Sequence, residues 1–398
     1  MDKQKGTGTK LKTIELDSLK AGTAFSEAIY IDDDNILVPA RIPILQKDLD
    51  KIKALGIETL ITAGEPVDLQ QAKGMEDGAS KINRVYSFST LQKNRAAYRV
   101  YTTLIERMNG LFIKISEGNA IDGRAINTIS TQLIQALRSQ REQYVGFILG
   151  GDIKGYEMAK SAVNIAILSA LTAQEVRLPS HKILYIIIAA LLHDVGMFQL
   201  PKKILEKKGA LTEGERKQMR NHPIFSRGVV VRDLSYPDEI GDIVLQHHER
   251  WDGNGYPYNL PGNNVSIGAK IVSIADSFEA MVSPRPYRNS ILGYQANKNL
   301  LADNSRRFDP DILKVFILTM GVYPIGSIVR LNNGTVARVS EVRASTPLRP
   351  KLQVLVNEFR QMPRNEEGYF IDLLTEKRLY IAKAMDPVEL SEMHVYDG

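Results

Sequence analysis

At 398 residues the chain exceeds what one hydrophobic core comfortably holds, and its length suits two or three domains. It contains no cysteine, which excludes disulfides and thiolate metal sites alike. Its net charge of +5, from 51 Lys and Arg against 46 Asp and Glu, suits anionic ligands, but the basic residues are spread along the chain and form no footprint for a nucleic-acid polymer.

The first residues, Met1-Asp2-Lys3-Gln4-Lys5-Gly6, lack the apolar core of a signal peptide. The longest apolar run, Ile183 to Leu192, is too short to span a bilayer and reads as a buried helix. A cytoplasmic protein with no membrane partner is therefore expected. Thr13-Ile14-Glu15-Leu16, Ala28-Ile29-Tyr30-Ile31 and Ile36-Leu37-Val38 read as strands, and residues 46–55 as an amphipathic helix before Gly56 and the apolar Leu60-Ile61. Residues 1–65 are thus expected to form a small α+β domain, followed by a linker over 66–86 that is rich in Gly, Asp, Gln and Ala.

From 87 to 149 the periodicity becomes helical. Leu91, Tyr98, Tyr101, Leu104, Ile105 and Met108 form one apolar stripe, and Ile126, Ile129, Leu133 and Leu137 form a second. Such a pair packs on its own chain's core or carries a homodimer contact, and core packing is the simpler reading. Gly150-Gly151 ends it, and residues 150–320 read as helical throughout. There His193-Asp194 ends the buried helix, with Gly196 expected in a left-handed turn. Thr212 and Glu215 form a capping box on the helix expected to deliver His222. The Gly-, Asn- and Pro-rich stretch 253–262 must be a loop, and Ser266 opens a helix carrying Asp276.

Beyond Gly321 the period becomes two. Ile328 to Leu331, an Asn332-Asn333-Gly334 turn, and Val336 to Val339 make a hairpin, and Leu352 to Val356 a further strand. The fold class is mainly α, with a small α+β domain in front and a small β extension over 321–398. His394 reads as a tail residue.

Four of the six histidines, His193, His222, His247 and His248, fall in one interval that leads to Asp276. A lone His-Asp pair is usually a hydrogen-bonded pair, but this set with Asp194 offers imidazoles for borderline cations and carboxylates able to bridge two of them. Two such ions would activate a water and clamp the leaving oxygen of a phosphodiester. Phosphate-ester hydrolysis is the reaction class these residues suggest.

The segments Leu191-Leu192-His193-Asp194-Val195-Gly196, Asn221-His222-Pro223, HHERWDGNGYP from His247 to Pro257, and IADSFEAMVSPRPYR from Ile274 to Arg288 resemble, in order and spacing, the HD-GYP branch of the HD metal phosphohydrolases. The likeness runs from about Gly155 to about Thr319. It implies a bacterial phosphodiesterase that opens cyclic di-GMP to the linear dinucleotide or on to GMP, with two or three divalent ions, iron or manganese. By motif position it implies metal ligation by His193, Asp194, His222, His247, His248 and Asp276, with His193 and Asp194 at the catalytic centre. Glu157 occupies the carboxylate position of trinuclear members. Gly255, Tyr256 and Pro257 would shape the site mouth, and Arg285 and Arg288 would face substrate phosphates.

Two positions depart from the pattern. Ser161 stands where the family has its first histidine ligand, on the same helix face as Glu157. Met197 replaces a lysine that contacts phosphate. The alternative is a degenerate member that binds cyclic di-GMP or a signalling protein without turnover. An HD hydrolase of other nucleotide phosphates is a third reading, against which the intact Gly255-Tyr256-Pro257 stands.

Overall fold

The computed structural model describes residues 12–67 except 22, 27–28, 31–35, 39–43, 45, 47–48, 51–52 and 54–57, then 95–119, 122–150, 156–205, 207, 211–283, 293–303, 306–363, 369–385 and 396–397. The chain divides into two compact units, Met1–Gly78 and Ala79–Gly398.

In the first unit β1 (Lys12–Glu15), β2 (Ala24–Phe25), β3 (Ile29–Tyr30), β4 (Ile36–Val38), β5 (Thr59–Thr62) and β6 (Pro66–Val67) form two sheets. One has the order β1-β5-β3-β4 and the other pairs β2 with β6. Ile14 lies opposite Leu60, and the period-two pattern of β5 buries Leu60 and Thr62; Phe25 and Ile29 are buried as well. Of the helix expected over 46–55, the described residues Gln46, Leu49, Asp50 and Lys53 are helical.

The second unit is helical up to Met320. The pair α1 (Arg95–Ser116) and α2 (Gly123–Gly150) leads to α3 (Glu157–Glu175) and α4 (Ser180–Leu192). The short α5 (Lys202–Leu205), α6 (Glu213–Met219), α7 (His222–Gly228) and α8 (Asp238–Gln246) follow, then α9 (Ile267–Val282), α10 (Gly293–Ala302) and α11 (Pro310–Met320). Leu91 lies outside the described residues; the rest of the two stripes, Tyr101 and Ile105 among them, is buried in the same core as α3 and α4, with Tyr98 half-buried against it. α3 is the central helix, buried from Ala162 to Ala173 without interruption. The polar Asn164 is tolerated inside it because its side-chain oxygen accepts from the Tyr101 hydroxyl at 2.6 Å.

α4 and the turn after it, Ser180–Gln199, are 20 residues long and apolar enough to cross a membrane by length and composition. The run 183–192 lies within this segment and is a helix buried from Ile186 to Leu192, as the buried-helix reading expected. More than half of this segment is buried inside the bundle.

The sequence misplaces two features. Gly196 has no left-handed backbone; a Cβ there would lie 2.3 Å from the His222 carbonyl oxygen and 2.4 Å from the Ser226 nitrogen. Close packing of the turn after His193 against α7 therefore requires the glycine. The capping box at Thr212 and Glu215 is present, but its helix stops at Met219, and His222 opens the next one.

After Gly321, at φ +83°, the chain enters a five-stranded antiparallel sheet. Its order is β11-β9-β8-β7-β12, where β7 is Ile328–Leu331, β8 Val336–Glu341, β9 Lys351–Val356, β11 Phe370–Asp372 and β12 Ile381–Ala384; β10 (Gln361–Met362) pairs with β13 (Tyr396–Asp397). The hairpin sets Arg330 opposite Val336 across a turn in which Gly334 takes φ +91°. The sheet joins the bundle where Tyr294 stacks on Tyr323 at 5.1 Å and the Asn297 side chain donates to the Gly321 carbonyl at 2.9 Å.

Candidate metal centre

His193, His222 and His247 each stand at or just beyond a helix C-terminus, where carbonyls lack intrahelical partners. Each ring uses one: Nδ1 of His193 donates to Ala190 O at 2.7 Å, that of His222 to Met219 O at 2.8 Å, and that of His247 to Val244 O at 2.6 Å. A carbonyl only accepts, so Nδ1 of each ring carries a proton, and Nε2 presents its lone pair wherever the ring is neutral. The negative ends of α4, α6 and α8 also favour a cation in front of them.

The Nε2 atoms converge on Asp194. Its Oδ1 lies 3.1 Å from His222 Nε2 and 3.8 Å from His247 Nε2, while Oδ2 lies 3.4 Å from His193 Nε2. Asp194, His222, His247 and His248 place one ligand atom each within 4.8 Å of one another, a donor set that fits a divalent cation. His193, perpendicular to His247 with ring centroids 5.1 Å apart, faces the other carboxylate oxygen.

The charge balance agrees with that fit. Burial works against the Asp194 carboxylate, yet the charge of His193 and hydrogen bonds from His193 and His222 hold its pKa well below the usual carboxylate range. Burial also opposes the charged form of His193, but Asp194 and Asp276 outweigh it and push its pKa up to about 9. Burial, then His248 and the other imidazoles, drives the His247 pKa well below normal, and burial with His222 takes His248 down to about 3. The site therefore concentrates negative charge on one carboxylate among buried imidazoles, two of them neutral and ready to ligate.

The loop after His248 forms one wall. The Tyr256 ring lies 4.7 Å from His248, tilted by 33°, and its N–H donates to the His248 carbonyl at 3.2 Å. Burial, then Asp194 and Asp276, raises the pKa of its hydroxyl, with Arg220 and Arg307 acting in the opposite sense. A Cβ at Gly255 would lie 2.4 Å from the Arg250 nitrogen and 2.5 Å from the Glu249 Cα, so the loop closes this tightly only with glycine. The bond from Tyr256 to Pro257 is cis.

Glu249 escaped the sequence reading. Only 3% exposed, it accepts from the Tyr258 N–H at 2.7 Å and the Leu260 N–H at 3.0 Å, bracing the loop from beneath. Its signal was a carboxylate directly after two histidines. Glu249→Ala is expected to cost about 1–3 kcal/mol, because two loop N–H groups lose their acceptor. A metal-free thermal melt checks this, and a midpoint within a degree of the parent would refute the bracing role.

The remaining site residues fall as follows. Asp276 is half-buried on α9, near enough to His193 to act on its charge. Glu157 opens α3 as an exposed residue and is outside the four-residue cluster. Arg285 and Arg288 lie outside the described residues. Ser161 is held, not vacant: its hydroxyl donates to Glu279 at 2.8 Å. Glu279 is 1% exposed and also accepts from Asn164 at 3.1 Å and Ser283 at 2.6 Å.

Comparison with known proteins matches residues 138–312 to the HD domain family. Over that stretch the chain is similar to HD domains. A further match, to the KOW domain associated with HD domains, covers residues 328–393, the C-terminal sheet. A cyclic di-GMP phosphodiesterase of Pseudomonas aeruginosa is 31% identical over 208 residues, 52% of this chain and 50% of that protein. The cyclic di-GMP phosphodiesterase PdeB of Borreliella burgdorferi is 31% identical over 208 residues, 52% of this chain and 54% of its own. The chain thus spans about half the length of these curated relatives. Among solved structures, an HD-GYP-type protein of Bdellovibrio bacteriovorus aligns with 77% of this chain and 98% of its own at 16% identity and a TM-score of 0.43. Within the matched stretch His193-Asp194 directly follows α4, and the Tyr256 ring lies against His248 and His222.

Proposed function

We propose that this chain is a metal-dependent phosphodiesterase that hydrolyses cyclic di-GMP to the linear dinucleotide, to GMP, or both. The observation that carries the reading is the division of Asp194, with Oδ1 toward His222 and His247 and Oδ2 toward His193. The names of the relatives supply the substrate class. Asp194, His222, His247 and His248 would hold one divalent ion, and His193 and Asp276 with Asp194 a second. Iron or manganese suits this mixture of imidazole and carboxylate. Such ions, when bound, supply Lewis acidity and a nucleophile at neutral pH. The chain's own residues orient and exclude: the Nδ1 bonds fix the rings, and the Tyr256 loop limits water at the mouth.

Arg285 and Arg288 complete this reading as phosphate contacts, and Glu157 as a further carboxylate. We also take 1–65 as an input domain, 66–86 as its linker, 87–149 as a helix pair serving the catalytic 150–320, and 321–398 as a β extension. A cytoplasmic setting and a homodimer or a signalling partner belong to the same reading. A second reading, a receptor that binds cyclic di-GMP without turnover, is favoured by one observation, the engagement of Ser161 with Glu279.

One experiment separates them. Protein purified anaerobically with iron or manganese is assayed on cyclic di-GMP, with metal content measured on the same sample and products resolved by chromatography. Product lost on substitution of His193 and Asp194 supports the enzyme. Bound metal and bound nucleotide without product would replace it with the receptor.

A further inference from the structure

Among the described residues, three arginines near the site are committed to carboxylates. Arg227 is held by Asp238 and Asp242, Arg250 by Asp252, and Arg306 by Asp303. Arg220 and Arg307 differ, because neither forms an ion pair among the described residues. The Arg220 guanidinium lies over the Tyr256 ring, 5.4 Å from its centroid, and Arg307 lies over Phe308 at 5.1 Å. A guanidinium resting on an aromatic face keeps its in-plane N–H donors for another acceptor.

Both residues sit on backbone that also positions the metal ligands. Arg220 caps α6 two residues before His222, its N–H bonded to the Arg216 carbonyl at 3.0 Å. The Arg307 carbonyl accepts from the Trp251 N–H at 3.1 Å, and the Arg306 carbonyl from the Asp252 N–H at 2.8 Å, which ties this segment to the loop leaving His248. Arg220 thus reaches the wall where Tyr256 lies against His248, and Arg307 sits on backbone tied to the loop that carries that wall. Both also act on the Tyr256 hydroxyl against the carboxylates, and Arg307 acts on His248, which puts their fields inside the site.

We propose that Arg220 and Arg307 are phosphate-binding residues of this site, their free guanidinium donors taking the non-bridging oxygens of a phosphodiester held between the metal ligands and the Tyr256 wall. The assignment rests on the phosphodiesterase reading above for the identity of the nucleotide. Charge-assisted donors to phosphate are short and directional, and lysine reproduces their charge without the fork.

The test uses the full chain loaded with manganese. Calorimetry reads binding of cyclic di-GMP and, separately, of bis(p-nitrophenyl) phosphate, and product formation is followed in the same solutions. R220Q and R307Q are each expected to raise Kd about tenfold or more for both ligands, the loss of a hydrogen bond to a charged group. Metal content should stay at the parent value, Kd should depend less steeply on salt, and R220K and R307K should recover part of the affinity. Unchanged Kd in both Gln variants overturns the proposal. A fall in metal content in step with affinity also overturns it, since the residues would then serve to hold the metal centre. If the parent binds the simple diester but not cyclic di-GMP, the nucleotide assignment fails and the arginines are judged on the diester alone. If the parent binds neither, both fail.

Discussion

Asp194→Asn is expected to empty the metal centre and to abolish hydrolysis with it. The amide keeps the carboxylate's shape but not its charge. One of its ends becomes an NH2 donor, facing either His222 Nε2, now 3.1 Å from Oδ1, or His193 Nε2, now 3.4 Å from Oδ2. No other carboxylate belongs to the four-residue cluster, so three imidazoles alone would face the cation and the bridge to His193 would be lost. Loss of an outer-shell partner already costs roughly 10–100-fold in metal affinity or activity, and loss of the bridging ligand should cost at least the upper end of that range. Metal content by mass spectrometry and the initial rate on cyclic di-GMP should fall together. Metal within twofold of the parent would remove Asp194 from the centre of the site.

Local chemistry explains which parts of the molecule were legible. The capping box at Thr212 and Glu215, the Ser266 N-cap and the Asn332-Asn333-Gly334 hairpin each depend on a few neighbouring residues, and each is present. The candidate ligands were legible because imidazoles and carboxylates at family spacing leave little other use for themselves, and the structure brings Asp194, His222, His247 and His248 to one point. Contacts remote in sequence were not. Gly196 looked like a helix stop, whereas its reason lies 26 residues on at His222. Glu249 and Glu279 have no part in the sequence reading, yet both are buried and used as acceptors. The second had a readable signal: it lies three residues after Asp276, on the same face of a helix rich in apolar residues.

That position makes Ser161→His the more informative gain-of-function variant. Asp276 and Glu279 share a face of α9, so the bond from Ser161 to Glu279 places residue 161 beside the Asp276 side of the centre. Metal-bound histidines commonly donate their second ring N–H to a carboxylate that fixes the ring. Glu279 already offers that acceptor, braced by Asn164 and Ser283. An imidazole at 161 should therefore exchange one hydrogen bond to Glu279 for another and turn its free nitrogen toward the carboxylates. The expected result is additional bound metal per chain and a rate at least about tenfold above the parent, the scale on which metal-site partners act. S161H combined with E279Q tests the route, since an amide can present its NH2 to the ring and lose the orienting charge. The gain should then shrink while the fold, read by thermal melting, persists. If S161H leaves metal content and rate unchanged, Ser161 is not the defect in this centre. If the gain survives E279Q undiminished, Glu279 is not what orients the ring.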